Sequence, residues 1–288
     1  MNVSTIGIDL AKNVFQIHGV DTHGEVVILR KLRRAQVIAF FTKISPCLVG
    51  MEACATGHHW ARELTKIGHT VRLLPPVYVK AYVKRSQNDA ADAAAICQAV
   101  TRPSMRFVPI KTEAQQAALA VHRTRNLLIG QRTQLINALR AHLAELGLVA
   151  EQGRDGLAKL VGIVADEERV ASLPPVMRHA LQVVLDQLAA LGQQISQLDR
   201  AIAAQHKASD VSRRLESIPG VGVIGATAIA ATVTDPSAFK TGRDLAAWIG
   251  LVPRQHSTGG KEKLGGISKQ GDRYLRRLLV VGATAVVR

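Results

Sequence analysis

The order of apolar segments in the first third of this chain constrains the fold more than any other feature. Residues 3 to 9 (VSTIGID) are typical of a strand, and residues 14 to 20 (VFQIHGV) alternate apolar and polar side chains as a half-buried strand does. A turn sequence, DTHG at 21 to 24, leads into a third strand pattern, EVVILRKL at 25 to 32. Three consecutive strands are therefore predicted to form a meander.

After the meander, helical and strand patterns alternate. These segments are a helix at 35 to 44, a buried strand at 47 to 52, a helix at 58 to 68, a strand at 69 to 75, and helical patterns near 77 to 84 and at 89 to 101. Three strands followed by alternating helix and strand is the order of the RNase H-like fold. We therefore expect an α/β domain with a mixed sheet over residues 1–111, in which the first and fourth strands are neighbours.

Two long helical patterns follow, at 112 to 146 and at 174 to 206. The second carries an apolar stripe whose mean spacing of 3.5 residues is the coiled-coil period. Its members are Leu181, Leu185, Leu188, Leu191, Ile195, Leu198 and Ile202. The segment 147 to 173, which contains Gly153, Gly156 and Gly162, is predicted to be a junction. Residues 112–213 are therefore expected to form a helical coiled-coil connector.

The segment RLESIPGVGVIGATAIAATV at 214 to 233 has the pattern of a helix-hairpin-helix in a mostly helical C-terminal region. Gly220 and Gly222 would allow a tight turn whose backbone N–H groups bind a phosphate. The alternative is an ordinary glycine-rich turn between two helices. We expect residues 214–288 to be a basic domain.

The charge of the chain indicates a polyanionic partner. Lys and Arg outnumber Asp and Glu by 37 to 22, a net charge of +15, and nucleic acid is the commonest partner of so basic a protein. The alternative is a merely solubilising or ribosome-like surface. Ten of the basic residues lie between 240 and 288, against three acids. Those predicted to contact phosphates are Arg254, Lys261, Lys263, Lys269, Arg273, Arg276 and Arg277.

Several classes of protein are disfavoured by composition. The three cysteines have no zinc-site spacing, and so sparse a set suits a reducing cytoplasm. The N-terminus lacks the pattern of a signal peptide. The longest apolar stretch, 218 to 233, is too short for a membrane span and contains Pro and Gly, so no membrane segment is expected.

Four carboxylates occupy the positions where this fold would gather them. Asp9 and Glu52 end the first and fourth predicted strands, and Asp89 and Asp92 lie three apart at a helix start. Like charges placed together are unfavourable without a cation, and ligand sets made only of oxygen select Mg²⁺ or Mn²⁺. Such ions could activate and stabilise the oxygens of a phosphoryl transfer.

Each carboxylate also has an ordinary structural explanation. Asp9 could lead from a strand into a turn, and Glu52 could be a helix-start charge. Asp89 could cap its helix, and Asp92 could interact favourably with the positive end of the helix dipole. The occurrence of all four at places that one fold brings together favours the metal site.

The segments GIDLAKNVFQIHGVD, GMEACATGHHWARELTKIGHTVRLLPP and VKRSQNDAADAAAI resemble the DEDD (RuvC-like) transposases of bacterial insertion sequences. IPGVG and FKTGRDLAAWIGLVPRQHSTGGKEKLGGISKQGDRYLRRLL resemble the C-terminal domain of the same proteins, the insertion-sequence one-ten family and its eleven-eleven branch. The resemblance implies that Asp9, Glu52, Asp89 and Asp92 are the catalytic metal ligands and that Ser257, in HSTGG, is the nucleophile. The family has Ser-Gly at this position, whereas Thr258 follows Ser257 here. Related proteins also run on beyond the position of Arg288, so the resemblance implies that the C-terminal domain at 214–288 is truncated.

The resemblance implies excision and insertion of a mobile element, with a covalent phosphoserine link to DNA and Mg²⁺ at the acids. It also implies DNA partners (element ends and target), a guide RNA from the element, a homodimer or tetramer, and a cytoplasmic, nucleoid-associated location. Judged by its residues alone, Ser257 could be a plain loop serine, with Ser237 and Ser268 as rivals. Two other functions remain open: a RuvC-like nuclease acting on branched DNA without Ser257, and an inactive nucleic-acid-binding copy.

Overall fold

A computed structural model describes residues 2–83, 88–166, 168 and 171–287. Positions 84 to 87 lie outside the described residues, as does Arg288. These four positions are part of VKRSQNDAADAAAI, one of the segments that resemble the DEDD transposases, and position 84 is the end of the helix predicted at 77 to 84. The chain divides into two compact units, residues 1–113 and residues 114–288. The division into domains at 1–111, 112–213 and 214–288 stays a prediction.

The first unit is built on a five-stranded mixed sheet with the strand order β3-β2-β1-β4-β5. Its strands are β1 (Thr5–Asp9), β2 (Val14–Val20), β3 (Val26–Arg33), β4 (Leu48–Glu52) and β5 (Thr70–Leu74). The first three strands form an antiparallel meander, while β4 pairs parallel with both β1 and β5. The predicted meander is confirmed, and so is the pairing of the first and fourth strands.

Helices cover both faces of this sheet. They are α1 (Val37–Phe41), α2 (Gly57–Lys66), α3 (Pro76–Val79) and α4 (Asp89–Ala99), with 3-10 turns at Arg34–Gln36 and Lys80–Tyr82. On one face, Ile6, Ile8 and Phe15 are buried in the same core as Trp60 of α2. The predicted helix at 35 to 44 is correct in position but is shorter, because only Val37–Phe41 has α-helical geometry.

Two glycines allow α4 to lie unusually close to the opposite face. A Cβ atom on Gly7 of β1 would lie 2.2 Å from the Ala93 carbonyl oxygen, and one on Gly50 of β4 would lie 2.8 Å from Val100 Cβ. Real Cβ atoms do not approach other atoms so closely, so larger residues would displace the helix. The approach brings the first turn of α4 towards the ends of β1 and β4.

The second unit begins with long helices. They are α5 (Glu113–Ala144), α6 (Arg154–Ala165) and α7 (Pro175–Ala208). The predicted junction at 147 to 173 therefore contains a helix, whose Leu160 and Val164 share a core with Leu139, Leu143 and Leu181. The glycines of this segment suggested a junction, whereas the shared core stabilises a helix within it. Several residues of the apolar stripe on α7 are buried, and a coiled coil stays a prediction.

The C-terminal part of the second unit is mostly helical, as expected, with one exception. Its elements are α8 (Asp210–Glu216), a turn, α9 (Val223–Thr232), α10 (Gly242–Ile249), β6 (Pro253–Gln255), β7 (Leu264–Ile267) and α11 (Arg273–Val287). The glycine-rich segment after residue 253, where Ser257 could have been a plain loop serine, is a two-stranded antiparallel hairpin. In the part of the chain that is described, no helix is long and apolar enough to cross a membrane.

Candidate active site

Two carboxylates stand side by side where parallel strands end. Asp9 is the last residue of β1 and Glu52 is the last residue of β4. Because Ile8 is paired with Met51 in the parallel register, the next residues along, Asp9 and Glu52, are also neighbours. Both are half-buried, at the edge that the sequence predicted.

The other two carboxylates lie in the first turn of α4. Asn88 caps this helix, since its side-chain oxygen accepts a hydrogen bond from the Ala91 N–H at 2.9 Å. The N-cap residue is therefore Asn88, and Asp89 is the first residue of the helix. Asp89 is exposed and Asp92 is half-buried, and both lie near the positive end of the helix dipole.

Asp9 interacts electrostatically with each of the other two aspartates, and Glu52 interacts with Asp9 and Asp92. The pKa of Asp9 is raised above its usual value by burial first, then by the charges of Asp92 and Asp89. The pKa of Glu52 is raised by burial, then by Asp9 and Asp92, while the nearby Lys80 charge lowers it. The sequence pattern gave no reason to single out Lys80. The structure thus places the four predicted carboxylates at the same end of the sheet, and their role as one metal site stays a prediction.

The carboxylates fit a hard divalent cation in chemistry, because Mg²⁺ and Mn²⁺ prefer oxygen ligands and would relieve the repulsion among them. Within residues 2–83, 88–166, 168 and 171–287, however, no three His, Cys, Asp or Glu side chains already form a group that could hold a metal ion. Asp9, Glu52, Asp89 and Asp92 would have to draw closer together to enclose one.

Ser257 lies on the β6–β7 hairpin, next to its turn. The two central turn residues, Gly259 and Gly260, have φ values of 56° and 77°, as a two-residue type I′ hairpin turn requires. The Ser257 Oγ is exposed and accepts a hydrogen bond from the Lys263 N–H at 3.2 Å. The hairpin thus fixes the backbone around Ser257 and leaves its hydroxyl accessible.

The two rival serines have local structural partners. The Ser237 hydroxyl donates a hydrogen bond to Asp235 Oδ1 at 2.6 Å, and the Ser237 N–H donates to the same oxygen. Ser268 Oγ accepts a long hydrogen bond of 3.5 Å from the Gln270 N–H, and the Ser268 backbone pairs with Val252. Their contacts are those of turn residues.

The seven basic residues predicted to contact phosphates fall into two groups. The Arg276 guanidinium donates hydrogen bonds to the carbonyl oxygens of Ile249 and Gln270, at 2.7 and 2.8 Å. Arg277 bonds to the Asn126 side chain and stacks over Tyr274. These contacts give both arginines a structural role. The other group comprises Arg254, Lys261, Lys263, Lys269 and Arg273, which are all exposed, as Arg277 also is. Arg254 in addition donates a hydrogen bond to the Ser268 carbonyl oxygen.

The two predicted phosphate-binding glycines also differ. Gly220 has a φ of 83° and packs against α11, where a Cβ atom would lie 2.7 Å from the Gly282 carbonyl oxygen. This close contact is sufficient to require glycine at 220. Gly222 precedes α9, and a Cβ atom placed there would meet open space, so steric crowding does not explain this glycine.

The first unit defines a class of protein. Its mixed sheet, with carboxylates at the ends of two neighbouring parallel strands and on the helix that covers them, has the arrangement of an RNase H-like domain. Comparison with known proteins gives the family. The model described as Transposase IS116/IS110/IS902 family matches residues 212–288, and a second model, described as Transposase, matches residues 6–148.

Similar proteins cover almost the whole chain. It is 52% identical over 289 residues to the probable family 20 transposase of Pseudomonas aeruginosa, with 100% of this chain and 85% of the relative covered. Identity is 40% to the transposase for insertion sequence element IS1328 of Yersinia enterocolitica, covering 97% of this chain and 82% of the relative. Identity is also 40% to the transposase for insertion sequence element IS1111A of Coxiella burnetii, covering 100% of this chain and 79% of the relative. The chain belongs to the IS110 family of transposases.

Proposed function

We propose that this transposase excises and inserts an insertion sequence by Mg²⁺-dependent cleavage and exchange of DNA strands, with Ser257 as its nucleophile. The observation that carries the proposal is the convergence of Asp9, Glu52, Asp89 and Asp92 at one end of the mixed sheet. Asp9, Glu52 and Asp92 are half-buried. A cation that binds among the four acids would offset the cost of grouping these like charges.

The acids would hold Mg²⁺, or Mn²⁺, near the scissile phosphate. When bound, the ion supplies Lewis-acid stabilisation of the phosphate oxygens. Asp9 and Glu52 would hold that ion from the strand ends, and Asp92 and Asp89 would hold it from a helix whose close approach to the sheet Gly7 and Gly50 permit. Because the acids must move closer together, metal affinity would depend on how closely α4 packs.

In the proposed step the Ser257 Oγ loses its proton to solvent and forms a bond to the scissile phosphorus. The phosphorus–oxygen bond to the leaving DNA strand breaks, and that strand's oxygen takes up a proton. The exposed ammonium groups of Lys261 and Lys263 would stabilise charge on the phosphate. The hairpin supports this role because it presents the hydroxyl on an ordered turn.

The proposed partners are DNA, namely the element ends and the target, and a guide RNA from the element. The net charge of +15 and the exposed basic residues near Ser257 support nucleic-acid binding. The guide RNA rests on the family resemblance alone. Assembly as a homodimer or tetramer through the apolar stripe of α7, phosphate binding by the proposed helix-hairpin-helix, and a cytoplasmic, nucleoid-associated location are parts of the same proposal.

A covalent adduct tests the serine mechanism. The wild-type protein, incubated with element-end DNA, matched RNA and Mg²⁺, is expected to form a protein–DNA adduct that is visible after denaturing electrophoresis. Ser257→Ala should abolish the adduct, because Oγ is the attacking atom. Ser237→Ala and Ser268→Ala should retain it, since those hydroxyls serve turns.

The same assay separates the alternatives. DNA cleavage by Ser257→Ala that still requires Mg²⁺ and Asp9 would indicate a hydrolytic RuvC-like nuclease instead. DNA binding without cleavage by the wild type, unaffected by loss of the acids, would indicate an inactive binding protein. An adduct that survives Ser257→Ala would contradict the proposed nucleophile.

A further inference from the structure

One row of side chains crosses four strands of the sheet at the carboxylate edge. Asp9 of β1 is paired with Gln16 of β2, and Gln16 is paired with Lys31 of β3. Glu52 extends the row on the other side, because Ile8 pairs with Met51. Paired residues on neighbouring strands point to the same face, so Gln16 shares its face with Asp9 and with the helix α4.

Gln16 is the unexplained member of this row. Only 7% of its surface is exposed, although it is an amide in a strand whose other buried residues are apolar or glycine. Its Oε1 is buried and has no hydrogen-bond partner among the residues that the structure describes. Leaving such an atom unpaired costs free energy, so its presence needs a reason beyond packing.

The place of Gln16 in the sheet supplies that reason. An amide oxygen is a neutral oxygen donor, which suits a hard divalent cation and adds no further negative charge to a cluster of four acids. Lys31 lies at the exposed end of the row, and its ammonium group has no lone pair with which to bind a cation. Within this row, the neutral group that could approach such an ion beside Asp9 is therefore the Gln16 amide.

We propose that Gln16 is a further member of the metal site, a positioning residue whose Oε1 acts as an oxygen donor to the hydrated divalent ion beside Asp9. The inference rests on the metal site in the proposed function and extends it to a residue outside the four acids. Without the ion, Gln16 is a destabilising buried polar group. With the ion, its oxygen gains a partner.

Two measurements on the full chain test whether Gln16 Oε1 contributes to ion binding. Mn²⁺ affinity is measured by electron paramagnetic resonance of the unbound ion, and the thermal midpoint is measured without metal. Gln16→Leu is expected to weaken Mn²⁺ binding about 10-fold or more, the size of effect seen when groups supporting a metal site are lost. The same variant should raise the metal-free midpoint by about 4 °C, because it removes an unpaired buried atom.

Two further variants sharpen the result. Gln16→Glu keeps an oxygen donor, so it should retain wild-type Mn²⁺ affinity or better while lowering the metal-free midpoint through repulsion with Asp9. Gln205 of α7, in the second unit, also has a buried Oε1 with no partner among the described residues. Gln205→Leu is the matched control and should leave Mn²⁺ affinity unchanged.

The outcomes separate this inference from the proposed function. Unchanged Mn²⁺ affinity in Gln16→Leu, together with its loss in Asp9→Asn, would overturn the role of Gln16 and leave the metal site standing. A lowered metal-free midpoint in Gln16→Leu with unchanged affinity would mark a packing residue and overturn it too. No Mn²⁺ binding by the wild type, or binding unaffected by Asp9→Asn, would overturn the metal site and the role of Gln16 together.

Discussion

At the scale of single residues, His122 of α5 has a buried imidazole that forms hydrogen bonds with side chains of two other helices, α9 and α11. The Thr227 hydroxyl donates to the Val223 carbonyl oxygen at 2.8 Å, so its oxygen accepts from His122 Nε2–H at 3.1 Å. His122 Nδ1 then accepts from the Tyr274 hydroxyl at 3.0 Å. Burial, with a smaller effect of the Arg125 charge, lowers the pKa of His122 to about 4.

This histidine should make the second unit sensitive to acid. The pKa of His122 falls from its usual 6.5 to about 4 in the folded protein, so the unfolded chain binds the proton more tightly. The free energy of unfolding is therefore expected to decrease as the pH falls from 6.5 through 4, by at most about 3 kcal/mol from this residue. Denaturant unfolding at a series of pH values measures the change.

His122→Gln is the informative variant, because it cannot take up the proton. It should be less stable than the wild type at neutral pH, having lost part of the hydrogen-bond network, and its stability should fall less steeply below pH 6.5. Equal pH slopes in the variant and the wild type would mean that other groups cause the acid sensitivity.

The residues of the candidate site were predictable to different degrees. Asp9 and Glu52 could be placed from the sequence because a charge that ends an apolar strand stands out. Gln16 could not, since alternation predicts a polar residue at that position with its side chain in water. Its burial depends on α4, which packs over the strand from more than 70 residues away in sequence.

At the scale of elements, the contact between α4 and the sheet sets the position of two acids. Gly7→Ala would place a Cβ atom 2.2 Å from the Ala93 carbonyl oxygen and 2.5 Å from the Cys97 nitrogen. Both are backbone atoms of α4, so the helix itself must shift. We expect the free energy of unfolding to fall by about 1–3 kcal/mol, the usual cost of overpacking, and Mn²⁺ affinity to fall with it.

The control for this prediction is Gly130→Ala. Gly130 is in α5, and a Cβ atom there would meet nothing within 4 Å. This substitution should stabilise the protein by about 0.5–1 kcal/mol, the helix-propensity gain of alanine over glycine. Denaturant unfolding and Mn²⁺ titration check both variants, and a Gly7→Ala protein as stable as the wild type would mean that α4 adjusts freely.

The elements themselves were largely predictable where apolar periodicity is regular. Strand β2 and the long helices have the predicted positions, because alternation and the helical repeat extend over many residues. Helix α6 and the β6–β7 hairpin were missed for a common reason. Glycines suggest loops locally, whereas the α6 helix is stabilised by a distant leucine core and the hairpin uses its glycines in the turn.

At the scale of the whole molecule, each compact unit has its own buried core. The first contains the two clusters on either side of the sheet, and the second contains the cluster shared by α5, α6 and α7. The His122 network lies within the second unit, and the contact between Gly7 and α4 lies within the first. Substitutions at these two places should therefore act on separate cores.

Separate cores predict two unfolding transitions in calorimetry of the full chain. Gly7→Ala should lower one midpoint by about 4 °C or more, as a loss of 1 kcal/mol does in a unit of this size, and leave the other in place. His122→Gln should lower the other midpoint, by more at neutral pH than near pH 5, because in acid the wild type loses the advantage of a neutral imidazole. A single transition shifted by both variants would show that the two cores unfold as one cooperative structure.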